Sequence, residues 1–166
     1  FFGAGKVIAL DFSDWRLERA KEFGATHTIN PKSEDAVEAV RAANNGRLAD
    51  TVIVIAPFAS AWAQAEQLVE VGGTLHLGAP LAPGEDWVRD GNKAYFDEIT
   101  ITSKYSSDHH DSYSYFRMLD SGRIDAARAI THRFDISDSA QAFEMLRNAE
   151  KSLKIVVYPH GKPEGS

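Results

Sequence analysis

The chain has 166 residues, 43% of them hydrophobic and 25% charged, a balance ordinary for one globular domain. Its net charge of −6, with no run of lysine or arginine, excludes the electrostatic footprint of a nucleic-acid or anionic-membrane binder and points to small molecules or other proteins as partners. No cysteine is present, so disulfides, thiolate zinc sites and thiol nucleophiles are excluded; a reducing cytoplasm is compatible with this, and a cytoplasmic location is expected.

The chain begins Phe1-Phe2-Gly3-Ala4-Gly5 without an initiator Met or a leader pattern, and reads as a cut end. No window approaches the ~20 apolar residues of a membrane span. Lys6 to Leu10 is a short β-branched run that ends in Asp11. Ser13 is positioned to cap a helix that runs through Phe23, with Leu17, Ala20 and Phe23 at helical spacing and Gly24 as its stop. Thr26 to Asn30 is a second short strand; Pro31 breaks the chain, and Ser33 is expected to cap a helix ended by Asn44-Asn45-Gly46.

The unbroken run Thr51 to Ala56 predicts a central parallel strand covered by helices on both faces. A helix from about Ala59 to Val71 follows, then Gly72-Gly73 and a strand from Thr74 to Gly78. Ala79 to Lys93 reads as a loop, Glu98 to Ser107 as an edge strand, and Asp108 to Leu119 as a helix stopped by Ser121-Gly122. The end reads as a strand, a helix capped near Ser137, a turn, and a last strand Leu153 to Tyr158, with a flexible tail from Pro159. Strands alternating with helices at this spacing predict an α/β doubly wound fold with a parallel sheet.

In open α/β sheets ligands sit beyond the carboxyl ends of the strands, so the positions just after Leu10, Ile55 and Leu77 are privileged. A carboxylate at Asp11 suits the vicinal hydroxyls of an adenosine ribose and repels a 2′-phosphate; a plain turn acid before a helix is the competing reading. Arg16, one helical turn on, suits the adenine or its ribose, or is a solvated helix arginine.

Gly3-Ala4-Gly5 precedes a strand, whereas a phosphate-binding G-x-G-x-x-G follows one, so these glycines read as the end of a preceding helix. Asp108-His109-His110-Asp111 holds four ligand-type residues, but adjacent positions at a helix start diverge, which favours an N-cap over a metal site. No G-x-S-x-G elbow supports hydrolase chemistry, and Trp15, Trp62 and Trp87 read as packing residues.

The segments "GAGKVIALDFSDWRLERAKEFGATHTINP", "GGTLHLGAP" and "ITHRFDISDSAQAFEMLRNAEKSLKIVVY" together resemble the medium-chain, zinc-type alcohol and polyol dehydrogenases, sorbitol dehydrogenase-like members included. The resemblance covers nearly the whole chain and implies a Rossmann-type, doubly wound parallel sheet, the C-terminal NAD-binding portion of such an enzyme. It implies hydride transfer between an alcohol and nicotinamide, with NAD preferred over NADP. Asp11 then corresponds to the acid on the ribose hydroxyls and Arg16 to the basic residue beside it. Leu77, Gly78 and Ala79 match the strand end that meets the nicotinamide carboxamide, Tyr105 lies on its other side, and Lys154 falls near the pyrophosphate.

The departures are as informative. The family's first strand with its glycine-rich turn, its zinc ligands and its proton relay are not among these residues and are expected upstream in the full polypeptide, a partner chain being the less favoured source; no catalytic or metal residue is assigned within the chain. Ala56-Pro57 stands where the family often has Thr-Gly. With strand order 3-2-1-4-5-6, Val7 to Leu10 and Val52 to Ile55 are expected to flank an empty slot, a sheet incomplete at its first strand. Residues 1–130 are expected to form the truncated dinucleotide-binding domain, 131–158 a segment that returns toward the absent catalytic domain, and 159–166 a tail.

The parent is expected to act on an alcohol or polyol, with zinc in its N-terminal domain, and to form a homodimer or tetramer through the edge strand 98–107. A zinc-free quinone- or enoyl-type reductase and a non-catalytic nucleotide-binding module are the alternatives.

Overall fold

The computed structural model describes residues 3–147 and 151–162. Among the described residues, seven strands and six α-helices follow one another in the expected alternation: β1 (Ile8–Leu10), α1 (Asp14–Glu22), β2 (His27–Ile29), α2 (Ala36–Ala43), β3 (Ala49–Val54), α3 (Ala59–Gln67) and β4 (Val69–Leu77). Then come α4 (Gly91–Phe96), β5 (Thr100–Ser103), α5 (His109–Asp120), β6 (Ile130–Asp135), α6 (Ser139–Arg147) and β7 (Lys154–Tyr158). Every strand pairing is parallel, as a chain built from strand-helix-strand units requires.

The pairings fall into three sheets, β1-β2, β3-β4-β5 and β6-β7. In the first, Ile8, Ala9 and Leu10 stand opposite His27, Thr28 and Ile29. In the second, Val52, Leu75 and Ile101 are in register, and so are Val54, Leu77 and Ser103. Among the described residues β1 pairs with β2 alone and β3 with β4 alone. The two sheets are nevertheless one packed body, because Ile8 and Leu10 from β1 and Val52 from β3 pack on the same buried cluster of Ile29, Ala36, Val40, Leu48 and Leu68. This is the arrangement of a doubly wound sheet with one central strand not supplied by these residues.

A second buried cluster, Val54, Ala65, Val69 and Leu75, joins α3 to the β3-β4-β5 sheet, and Leu75 is fully buried. Trp62 and Trp87 close this cluster, their rings edge to face with centroids 5.4 Å apart. Arg89 stacks over Trp87 and gives both Nε and Nη2 to Glu66 Oε1 at 3.2 Å, so the buried Glu66 carboxylate is paired. The expectation that helices cover both faces of β3 is corrected: Val52 and Val54 are packed, but Ile53 is 62% and Ile55 69% exposed on the opposite side. Residue period 2 sends alternate side chains to opposite faces, and only the α3 face is closed here.

Several caps form as their side chains dictate. Ser13 Oγ accepts from Arg16 N at 3.4 Å, and Gly24 takes φ +100° beyond the end of α1. Asp108 and Asp111 form a reciprocal capping box on α5, so the Asp-His-His-Asp run is a helix start. The cap of α2 is Asp35 and not Ser33: Asp35 Oδ1 accepts from Glu38 N at 2.9 Å, while Ser33 Oγ donates to Asn30 O and completes the Pro31 turn.

Further boundaries differ from expectation, among them the edge strand, which spans Thr100–Ser103 and not Glu98 to Ser107 because Glu98 takes φ +52° in a turn. Val69, Glu70 and Val71 belong to β4 rather than to α3, because Ala49 N bonds Leu68 O and the β3-β4 ladder starts at once. Asp90 nucleates α4 inside the segment expected to be loop, its carboxylate accepting from Asn92 N and Lys93 N. α6 begins at Ser139, after a 3-10 turn over Ile136–Asp138. Of the expected tail, Lys162 N donates to Asp135 Oδ1 at 2.9 Å, and 163–166 lie outside the described residues. No helix among the described residues is long and apolar enough to cross a membrane.

Candidate functional site

Asp11 stands directly beyond the carboxyl end of β1, where its backbone N–H still completes the ladder to Ile29 O at 3.3 Å. Its Oδ1 accepts the Ser13 N–H at 2.8 Å, which folds the strand-to-helix turn around the carboxylate. The turn role and a ligand role are therefore compatible in one residue, since an ionised carboxylate has about four acceptor sites. Its Oδ2 lies 3.8 Å from Arg16 Nη1, and the side chain is 37% exposed.

Asp11 and Arg16 line an open cleft of about 360 Å³ together with Ala9, Leu10, Ala20, Ser152 and Leu153. Arg16 Nη2 donates to Ser152 O at 3.2 Å, across 136 residues of chain. Ser152, 3% exposed, and Leu153 carry no sequence signal that links them to Asp11; only the folded return of the C-terminal segment brings them there. Lys154, at the start of β7, is exposed two residues further on.

A second group gathers at the carboxyl ends of β4 and β5. Leu77 packs on the α3 cluster, and Gly78 N donates to Val54 O at 2.8 Å. A Cβ on Gly78 would come within 3.3 Å of that same carbonyl, so the absence of a side chain lets the end of β4 lie against β3. Ala79 is half-buried, and Tyr105, beyond the end of β5, is 98% exposed. Asp11 and Arg16 are thus brought together, as are Leu77 and Gly78, at the ends of parallel strands in two sheets packed on one cluster.

At the start of α5, backbone hydrogen bonding from Asp111 and then the Lys104 ammonium hold the Asp108 carboxyl below its ordinary range. Lys104 first, and the Asp108 N–H second, do the same for Asp111; the two carboxylates in turn push Lys104 upward. The Glu70 carboxyl is held low by the N–H groups of Leu48 and Val71, which makes it a turn anchor for the β3-β4 ladder. No group of three or more His, Asp or Glu side chains is assembled as a metal cage among the described residues.

The pattern described as "Zinc-binding dehydrogenase" matches residues 1–121. The chain belongs to the zinc-binding dehydrogenase family. It is 31% identical to L-threonine 3-dehydrogenase of Bacillus subtilis (strain 168) over 159 residues, 95% of this chain and 45% of that protein. It is 30% identical to sorbitol dehydrogenase of the same organism, across 96% of this chain and 45% of the relative. A crystal structure of a zinc-binding dehydrogenase from Sinorhizobium meliloti 1021 bound to NADP superposes with a TM-score of 0.84 and 25% identity, covering 95% of this chain and 46% of that one.

The chain therefore spans about 45% of the length of the curated relatives it matches. A strand-end carboxylate with acceptor capacity beyond the Ser13 N–H borders the cleft, a chemistry that suits hydroxyl donors. The described residues do not include a zinc cage, so the metal's ligands are not supplied by them.

Proposed function

We propose that this chain is the cofactor-binding portion of an NAD-dependent, zinc-type oxidoreductase that transfers hydride between an alcohol or polyol and nicotinamide. The observation that carries the reading is Asp11, a carboxylate at the end of β1 that borders the cleft and keeps acceptor sites beyond the one taken by Ser13 N. Two vicinal hydroxyls of an adenosine ribose donate to such a group, and a 2′-phosphate is repelled by it; this favours NAD over NADP. The relatives named for dehydrogenation of threonine and sorbitol, both alcohols, support the substrate class.

In this reading Leu77, Gly78 and Ala79 present backbone groups to the carboxamide of the nicotinamide, Tyr105 closes its outer side, and Lys154 offers a cation to the pyrophosphate. NAD, when bound, would supply the hydride acceptor, while this chain's residues hold its two ends and exclude water between them. Zinc, held by residues outside this chain, would act as a Lewis acid on the substrate oxygen. The slot between β1 and β3 is filled by one parallel strand from the same polypeptide, whose glycine-rich turn cradles the pyrophosphate. Residues 1–130 are the dinucleotide-binding domain, and 131–158 return toward the catalytic domain.

The outer edge of β5 is unpaired among the described residues and suits a two-fold pairing with a second copy, giving a homodimer or tetramer. Light scattering on the intact enzyme reads this directly, and a monomeric mass removes it. The function is tested by NADH formation in the intact polypeptide with a series of alcohols and polyols, beside metal analysis. Alcohol-dependent NADH formation with bound zinc is expected. Activity without metal would favour a reductase of the quinone or enoyl type, and nucleotide binding without any turnover a regulatory module.

A further inference from the structure

The β6-β7 ladder steps two residues along β6 for one along β7 at its start, since Ile130 stands opposite Lys154 and His132 opposite Ile155. Thr131 is therefore the extra residue of a bulge, where the regular backbone ladder is interrupted. Its hydroxyl takes over that pairing: Thr131 Oγ1 accepts the Leu153 N–H at 3.1 Å and donates to Lys154 O at 3.3 Å. His132 Nδ1 lies 3.0 Å from the same oxygen. A hydroxyl has one hydrogen and two lone pairs, so with the Nδ1–H of His132 as a second donor every position on it is used. One residue earlier, Ser152 O accepts from Arg16 Nη2 at 3.2 Å. The backbone is thus held at 152, 153 and 154 in succession, while the exposed Lys154 ammonium meets no carboxylate among the described residues.

We propose that Thr131 is a positioning residue for Lys154: its hydroxyl brackets the lysine's backbone and so aims the ammonium at the pyrophosphate of the dinucleotide. The proposal rests on the reading of Lys154 as the cation for that group. The need is physical. A lysine carries a compact charge on a flexible four-carbon stem, so it delivers that charge to one place only if its Cα is held. Lys154 opens β7, where a strand end frays most easily, and the hydroxyl supplies bonds on both sides of its Cα where the bulge interrupts the ladder. Thr131 has no bonding capacity left for a ligand, so its contribution to binding passes through the lysine.

The test is NAD titration of the intact enzyme as wild type, Thr131→Val, Thr131→Ser, Lys154→Met and the joint Thr131→Val with Lys154→Met, beside amide exchange at Leu153 without nucleotide. Valine keeps the branched shape of threonine and removes the hydroxyl. Lys154→Met lowers NAD affinity roughly 10-fold or more, as for a hydrogen bond to a charged group. Thr131→Val lowers it about 5-fold, the scale of one neutral hydrogen bond, and Thr131→Ser restores most of the loss. In the Lys154→Met background the valine costs nothing further, because no charge is left to aim. Leu153 exchanges faster in Thr131→Val and returns toward the wild-type rate in Thr131→Ser. Unchanged NAD affinity in Lys154→Met rejects the pyrophosphate reading on which the proposal rests. A weakened Lys154→Met beside an unaffected Thr131→Val overturns the proposal alone. So does a Thr131→Val loss that persists in full in the Lys154→Met background, since the hydroxyl then acts on the fold and not through the lysine. Unchanged Leu153 exchange in Thr131→Val overturns the bracketing itself.

Discussion

Glu66, at the end of α3, is 7% exposed, and both Nε and Nη2 of Arg89 meet its Oε1 at 3.2 Å. The pair links a helix that covers the sheet to the long connection after β4, and Trp87 lies under the guanidinium. Removing one partner strands a charge in the interior. Arg89→Ala is expected to cost about 3 kcal/mol of stability, and the joint change Glu66→Leu with Arg89→Met to recover most of it. Denaturant midpoints of the three proteins check this; a single variant as stable as wild type would show that the carboxylate is solvated.

Gly73 sits inside β4 where the ladder shifts register between Ala49 and Thr51. A Cβ there would lie 2.7 Å from Glu70 O and 2.8 Å from Val69 Cγ1. Gly73→Ala therefore forces the strand apart at its first turn, at a cost of about 1–3 kcal/mol by the usual scale of overpacking. Thermal unfolding reads the loss, and Gly84→Ala, whose Cβ would meet no atom, separates clash from the strain of a positive φ.

The first turn of α5 is pH-sensitive in a defined direction. Asp108 and Asp111 are held below the ordinary carboxylate range, so their contribution is complete above that range and is lost as pH falls through their folded-state values. Lys104 is raised, so its contribution is complete below its ordinary value and is lost only as pH rises beyond it. The Asp111 amide, which donates to Asp108 Oδ1 at 2.9 Å, should be protected relative to its intrinsic exchange rate at neutral pH and lose that protection in acid. Protection unchanged in strong acid would contradict the capping box as its cause.

Much of the fold was legible because local chemistry and tertiary packing agree. Ser13 bounds α1 through its hydroxyl and Gly24 through its positive φ, and Asp108 caps α5. The misplacements have distinct causes. Asp35 outcompeted Ser33 for the α2 cap because the Ser33 hydroxyl was already turned back to Asn30 O. The strand β4 took Val69 to Val71 because pairing with β3 begins at Ala49, a long-range event that no local period records. The open face at Ile53 and Ile55 was hidden in an unbroken apolar run, which looks the same whether one or two faces are packed.

Of the candidate site, the placement of Asp11 and Gly78 just beyond the ends of β1 and β4 was legible in the sequence. That of Ser152 was not, because its approach to Arg16 depends on the return of a segment 136 residues away. Sequence offers Arg16 against the adenine or its ribose or as a solvated helix arginine; that it also donates to Ser152 O and lies 3.8 Å from Asp11 is visible only in the fold.

The central claim is that Asp11 selects and holds the adenosine ribose of NAD. Titration of the intact enzyme and its Asp11→Ala variant with NAD and NADP tests it most directly. Hydrogen bonds to a charged group are worth about 1.5–3 kcal/mol, so the variant should bind NAD roughly 10- to 100-fold more weakly and lose its preference over NADP. Tighter binding of NADP by the wild type, or unchanged NAD affinity in the variant, would contradict the account.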